Sequence, residues 1–410
     1  MFIGGGPAAF FAAITLAEAL PGARVVILEK GRDVLQKVKI SGGGRCNVTH
    51  ACFDPKELVK HYPRGGKALL GPFHKFGAQD TVAWFRERGV RLKTEADGRM
   101  FPGTDNSETI VRCLSEAARR AGVAVHTGQN VVSIQPPGEG RALWQVTTHT
   151  GQHFQAEKTM IATGSSARIW AMLAGMGHRI VPPVPSLFTF NIKDPLIAGL
   201  QGVSVPMAGV QIKGEKLAAT GPLLITHWGM SGPAILKLSA WGARILHERG
   251  YRFEVELNWI GNLPPGETAA QLSKAKLDWA RKVVSGSGPF SEIPNRLWER
   301  IVLAAGIGPG QRWADLNKEK LQRLTAQLTG TTFQVHGKST FKEEFVTAGG
   351  IHLDEVDFQR FESKIHPGLH FAGEVLDIDA VTGGFNFQAA WTGGYLAGLA
   401  MAADFGTVKY

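Results

Sequence analysis

The chain has 410 residues, of which 44% are hydrophobic and 20% charged, with 45 Lys and Arg against 35 Asp and Glu and a formal net charge of +10. That length exceeds one ordinary domain, and the composition is that of a globular protein rather than a disordered or fibrous one. No apolar run reaches the length of a membrane span, no signal peptide is visible, and Cys46, Cys52 and Cys113 form no even framework, so a reducing cytoplasm is the expected setting.

Met1-Phe2-Ile3 reads as a short strand running into Gly4-Gly5-Gly6-Pro7-Ala8-Ala9. A helix with Phe10, Ile14 and Ala17 on one face follows, then the apolar strand Arg24 to Glu29. This is the order of a dinucleotide-binding βαβ unit. Gly4 permits the tight turn, Gly6 lets the backbone approach a pyrophosphate, and Ala9 in place of a third glycine still allows close packing. Pro7 and Ala8 open the helix, whose free N–H groups would face the phosphates. Glu29, with Lys30 beside it, falls twenty residues after Ala9. A carboxylate there accepts both hydroxyls of an adenosine ribose, which favours FAD or NAD and opposes NADP. Only three residues precede the glycines, fewer than the usual five or six; either the chain begins further upstream or this strand is short.

Next comes Lys37-Val38-Lys39-Ile40-Ser41-Gly42-Gly43-Gly44-Arg45-Cys46-Asn47-Val48-Thr49. Its three glycines open the backbone to a close neighbour, and the polar residues around them suit phosphates, a ribityl chain and a ring edge. Asp80 to Arg88 and Ser107 to Ala121 read as helices stopped by Gly89 and Gly122. Val123 to His126 is the expected third parallel strand, with Val131 to Ile134 at its outer end. Leu143 to Thr148 and Gln152 to Ala156 flank a Thr150-Gly151 turn as a hairpin. The stretch Lys158 to Gly164, ending Ala162-Thr163-Gly164, returns a strand to the sheet. This is the order of α/β, Rossmann-like FAD-binding domains of the glutathione-reductase type.

Pro182-Pro183-Val184-Pro185 marks a boundary. The expected division is an FAD-binding domain in two parts, 1–185 and 346–410, around an inserted substrate or cap domain, 186–345. The insert is expected to be β-rich over 186–262 and helical over 263–330. Its strands are Leu187 to Ile192, Val203 to Pro206, Gly209 to Lys213, Leu223 to Thr226 and Arg252 to Trp259; its helices are near 266–284, 293–305 and 316–329. From Phe345 the chain returns to the first domain, with a strand end at Leu369 to Glu374. Val381-Thr382-Gly383-Gly384-Phe385-Asn386-Phe387-Gln388 then leads into a small-residue helix, Ala389 to Ala403. Aimed at a flavin, the N–H groups of that helix would stabilise charge developing on reduction.

With both ends read, the chain resembles the BaiN-like (YhiN-like) family of bacterial NAD(P)/FAD-dependent oxidoreductases, which includes aminoacetone-oxidase-like members. The likeness spans nearly the whole chain. It rests on Lys37 with Ile40 to Thr49, on Gly98-Arg99-Met100-Phe101-Pro102, on Thr226 to Ala234, and on Gly373-Glu374-Val375-Leu376-Asp377 with Thr382 to Gln388. The resemblance implies FAD bound across the first and last segments, with the insert as the roof of the active site. It also implies an adenine contact at the Val131 backbone and ribityl contacts at Cys46, Asn47 and Glu374. The cofactor set is thus Gly4, Gly6, Pro7, Ala8, Glu29, Lys30, Lys37, Ser41, Gly42, Gly43, Arg45, Cys46, Asn47, Val131, Ala162, Thr163, Gly164, Gly373, Glu374, Asp379, Gly383, Gly384, Phe385, Asn386 and Phe387. The chain departs from the family pattern at Ala9, at Ser165 and over Ser166 to Trp170, where relatives carry glycines.

Candidates for chemistry are few. His227 is either a proton donor or a structural histidine. Arg45 and Arg99 either hold an anionic group or form ion pairs. Asp377 and Asp379 either orient the ribityl chain or cap the last helix. Cys46 and Cys52 are separated by one residue too many for the disulfide of the reductases. Gly306 to Gly310 reads as a turn rather than a second nucleotide site, so NADH or NADPH would bind transiently. No cluster has metal-ligand spacing. Lys and Arg are interleaved with acids, which argues for a solvated surface and against a nucleic-acid partner. Three functions stand: an FAD-dependent reductase of a small or steroid-like unsaturated substrate fed by NAD(P)H, an FAD oxidase or dehydrogenase of a small amine or acid, and an RNA-associated flavoprotein.

Overall fold

The structure is a computed structural model that describes residues 1–138, 140–339 and 346–405. The chain separates into two compact units, Met1–Val184 with Val346–Tyr410, and Pro185–Phe345. The expected return at Phe345 lies outside the described residues.

The first unit is built on a seven-stranded sheet in the order Val356–Asp357, Glu362–Ser363, Leu369–Phe371, Thr159–Ile161, Phe2–Ile3, Val26–Leu28, Ala124–His126. The last five are parallel, and the first two join them as an antiparallel edge. The central strand is two residues long, in keeping with the few residues before Gly4. Helix Pro7–Ala19 follows it, and helix Phe385–Ala403 ends the fold; both are buried along most of their length, so neither has a polar face. These two helices touch through glycine. A Cβ on Gly394 would lie 2.6 Å from the Ala8 carbonyl oxygen, and one on Gly398 would lie 2.6 Å from that of Ala12. Both numbers rise together, so the helices run in the same direction. Phe11 fills the floor beside them, with the rings of Trp84, Trp391 and Phe76 centred 4.3, 5.3 and 5.6 Å away.

Two expectations for this unit change, and two stretches gain detail. Val131–Gln135 does not extend the parallel sheet; it forms a three-stranded antiparallel sheet with Trp144–Thr148 and His153–Ala156. The residues before the three glycines are helical from Gln36, and Gly42, Gly43 and Gly44 then take φ of 58°, 66° and 82°. The last helix begins at Phe385, four residues before the expected start, because Gly384 at φ 88° supplies the turn into it. The prolines at 182, 183 and 185 lie in a strand, Ile180–Pro185, which among the described residues pairs only with Thr347–Ile351, an edge position that tolerates the missing N–H groups.

The second unit is a closed barrel in the order Thr189–Ile192, Gly229–Ser231, Ala218–Ile225, Ser204–Ile212, Phe253–Asn258, Thr331–Ser339. Closure comes from Thr331–Ser339 pairing antiparallel with Thr189–Ile192. The two strands expected around Pro206 are one, Ser204–Ile212, whose register shifts between Val205 and Ala208 where proline cannot donate. Helices Pro265–Asp278, Asn295–Ala304 and Lys318–Thr329 pack around Trp298 and Trp313. Helix Pro233–Trp241 and strands Gly229–Ser231 and Thr331–Ser339 were not expected from the sequence.

The helix contact yields a stability test. Gly398→Leu pushes a side chain into the Ala12 backbone and should cost about 3 kcal/mol. Thermal unfolding of the variant, compared with Gly71→Ala in open space, checks this; equal midpoints would show that the seam is not tightly packed.

Candidate functional site

The site begins where the short first strand turns into its helix. Gly4 has φ 102°, and a Cβ there would lie 2.5 Å from the Ala162 carbonyl oxygen. Gly5 is closed in by Glu29 and Val34, with a Cβ 2.9 Å from each. Glu29 binds this turn directly. Its Oε2 accepts the Gly5 N–H at 2.6 Å and its Oε1 accepts the Gly31 N–H at 2.6 Å. The carboxylate is thereby fixed at the end of the second strand, where a ribose would meet it. Lys30 is exposed beside it. Gln129 donates its backbone N–H to the Glu29 carbonyl at 2.7 Å, which brings the segment leading to buried Val131 against the same turn.

The second part is the segment from Ser41 to His50. Cys46 is buried at φ 61°, and its backbone N–H bonds to the Ser41 carbonyl at 3.0 Å. Burial pushes its thiol up to about 12 despite a hydrogen bond with Ser41, so it is a neutral packing group. Asn47, with its Nδ2 donating to the Thr49 carbonyl at 3.0 Å, accepts the Gly384 N–H on Oδ1 at 2.9 Å. Thr49 Oγ1 donates to Gln388 Oε1 at 2.6 Å, and Trp391 Nε1 donates to the Val48 carbonyl at 2.9 Å. The glycine-rich segment is therefore bound to the start of the final helix by a satisfied polar network. Asn386 braces the preceding loop, accepting the Ala380 N–H at 3.0 Å and donating to its carbonyl at 3.1 Å.

Two ion pairs cross the same region. Lys37 Nζ bonds Glu374 Oε2, joining the early helix to the end of strand Leu369–Phe371, and Gly373 lies against Ala8. Arg64 donates through Nε and Nη2 to both oxygens of Asp379, whose side chain is fully buried. Asp379 was expected at the ribityl chain or as a helix cap; the structure places it in this pair because a buried carboxylate requires a cation. Arg45 is also engaged. Its guanidinium lies 4.0 Å over the Phe101 ring and donates to Glu95 at 2.6 Å and Asp105 at 3.4 Å. The hydrogen bond to Glu95 comes first among the influences that raise its pKa. Phe387 stacks on Trp391 with centroids 5.7 Å apart. His227 stands in the other unit, exposed in the turn between Ala218–Ile225 and Gly229–Ser231.

The residues fit a dinucleotide on two observations besides the glycines. Thr163 Oγ1, after the strand that closes over Gly4, and Gln129 Oε1, beside Glu29, are buried with no hydrogen-bond partner among the described residues. Buried polar atoms are seldom left so unless a bound group completes them. Sequence reading missed Arg64 and Gln129, which carry no motif, quoted Gln388 within a motif without giving it a role, and passed over His50 directly after a motif it did use.

This arrangement defines a Rossmann-type dinucleotide-binding unit whose chain is interrupted by a second, β-barrel unit. The chain belongs to the family described as HI0933-like protein Rossmann domain, which matches residues 1–400. It is 29% identical to a 3-dehydro-bile acid delta(4,6)-reductase of Clostridium scindens, covering 98% of each chain. It is 28% identical to a ribosomal RNA dihydrouridine synthase of Escherichia coli, over 96% of this chain and 95% of that one. Among solved structures it is similar in fold to a 3-ketosteroid Δ4-(5α)-dehydrogenase from Rhodococcus jostii, with a TM-score of 0.53 at 14% identity over 98% and 96% of the two chains.

Two tests follow from the geometry. Arg64→Met strips the guanidinium from a buried carboxylate and should lower stability by about 3 kcal/mol, with Arg64→Met/Asp379→Leu recovering part of the loss in urea unfolding. Iodoacetamide at pH 8 should label Cys52 before Cys46 in the folded protein. Mass spectrometry showing equal labelling would contradict the burial of Cys46.

Proposed function

We propose that the chain is an FAD-dependent oxidoreductase that takes electrons from transiently bound NADH or NADPH and reduces a carbon–carbon double bond conjugated to a carbonyl. The observation that carries this reading is the geometry at the starts of two parallel helices. The first helix starts at Pro7 against the Gly4–Gly6 turn, and the last starts at Phe385. With Gly394 on Ala8, the last helix starts eight residues before the level of Pro7, so its start projects about 12 Å beyond that of the first at 1.5 Å per residue. A pyrophosphate at the first end and a flavin ring at the second suit that stagger, with the ribityl chain between them. Glu29 would hold the adenosine ribose, Gly4 and Gly6 would admit the pyrophosphate, and Glu374 would face the ribityl chain.

When bound, FAD supplies the hydride; the chain binds, orients and polarises. The N–H groups at the start of the last helix would favour negative charge on the nearby ring edge. The substrate class rests on the two relatives. A 3-dehydro-bile acid with delta(4,6) unsaturation and a uracil base share a double bond conjugated to a carbonyl, to which hydride adds at the far carbon. The steroid-like substrate of the Clostridium scindens relative makes a small organic molecule the first choice. A second reading is favoured by the dihydrouridine synthase relatives and by the net charge of +10, and places the double bond in a uracil of RNA.

The deciding experiment is the visible spectrum of the purified protein under nitrogen, before and after NADH or NADPH. A flavin spectrum that bleaches, then returns on adding a 3-oxo-4,6-diene steroid, is the expected result. Return only with uridine-containing RNA supports the second reading. A spectrum that persists with both nicotinamides, but bleaches with an amine or acid and yields peroxide in air, overturns the reductase reading for an oxidase. A protein that cannot be loaded with FAD overturns the proposal.

A further inference from the structure

His50 has one nitrogen whose role is settled and one that has none. It follows Thr49 on a short strand paired with Arg99–Pro102. Its Nε2 lies 3.0 Å from the Asp97 carbonyl oxygen, which can only accept, so Nε2 carries the proton. Nδ1 is then a lone-pair acceptor, and it is buried with no partner among the described residues. The ring is held on both sides. A Cβ on Gly98 would lie 2.4 to 3.2 Å from the imidazole atoms, so that position must be glycine, and the Phe385 ring stacks at 4.7 Å and 25°. His61 stacks on Phe385 at 4.1 Å and 9°.

This acceptor stands at the start of the last helix. Phe385 is the first residue of that helix, and the Thr49 carbonyl presses on Gly384, where a Cβ would lie 2.6 Å from the oxygen. On the reading above, this is where the pyrimidine edge of the flavin lies. That edge presents an acceptor, a donor and an acceptor in turn: O2, N3–H and O4. A helix start offers only N–H donors, which suit the two oxygens and leave the imide N–H unmatched. We propose that His50 Nδ1 is the acceptor for the flavin N3–H, so that the glycine-rich segment and the final helix together read the imide edge.

The inference rests on the FAD reading, and the test separates the two. FAD and N3-methyl-FAD, in which the donor is blocked, are titrated into apoprotein of the native chain and of His50→Leu, following protein fluorescence. The native chain should bind N3-methyl-FAD about tenfold more weakly than FAD, and the variant should bind the two alike. An equal methyl penalty in both proteins overturns the assignment, as does no penalty in the native chain. Should the variant not fold, the ¹⁵N resonance of His50 Nδ1 in the native protein decides. A shift with FAD and none with N3-methyl-FAD supports the bond, and the same shift with both assigns Nδ1 to another donor, such as water. If neither cofactor binds, the FAD reading fails and this inference with it.

Discussion

The close contact of two parallel helices sets everything else in the first unit. Because Gly394 and Gly398 have no side chains, the last helix lies with its backbone on Ala8 and Ala12 of the first. A larger residue at either glycine would force the helices apart and shift the last helix along or around the first. The position of one helix start relative to the other depends on that register. Both starts carry unsatisfied N–H groups and partial positive charge, so their separation decides what length of anionic or electron-rich ligand can touch both. Both helices are buried along most of their length as a consequence.

The glycine-rich segment after the second strand is the other half of this arrangement, and its order is imposed from outside. Three successive residues at positive φ have little intrinsic preference for one conformation. Order comes from Asn47, Thr49 and the Val48 carbonyl, each bonded to the final helix, and from Ser107, whose N–H bonds to the Gly44 carbonyl at 2.9 Å. Phe101 supports the arc from below, with Gly42 close to its ring and Arg45 above it. Segments more than three hundred residues apart in sequence thus form one surface. The insertion of a separate barrel between them does not disturb it, because strands Ile180–Pro185 and Thr347–Ile351 pair side by side and bring the chain back to where it left.

The elements legible in the sequence were those whose cause is local. Gly4, Gly6 and Glu29 sit at fixed offsets within thirty residues, and the helices ended by Gly89 and Gly122 carry their own stop signals. The barrel was not legible because closure is a long-range property. Strand Gly229–Ser231 is three residues with one glycine, and strand Thr331–Ser339 is separated from the preceding helix by Gly330 alone, although its alternation of buried and exposed residues is clear in the structure. Asp379 was placed at the cofactor on proximity to Gly383; its partner Arg64 lies 315 residues away, and no local pattern announces it. His50 was passed over because a histidine after a recognised motif has no spacing rule.

The Arg64–Asp379 pair also bears on the field at the site. A carboxylate five residues before Gly384 would oppose the positive end of the final helix and weaken any stabilisation of negative charge there. Removing the carboxylate would solve this, but the loop from Val375 to Gly384 would lose its anchor. Pairing it bidentately with a guanidinium achieves both ends, since the pair is nearly neutral at a distance and rigid at close range. Buried ion pairs contribute little net stability over apolar residues, so the pair is better explained by what it positions than by what it stabilises. Tyr62 supports the same reading. Two residues from Arg64, its hydroxyl donates to the Phe385 carbonyl at 2.6 Å, and the His61 carbonyl accepts the Val381 N–H at 3.0 Å. One short segment, His61 to Arg64, therefore holds the loop, the helix start and the charge balance at once.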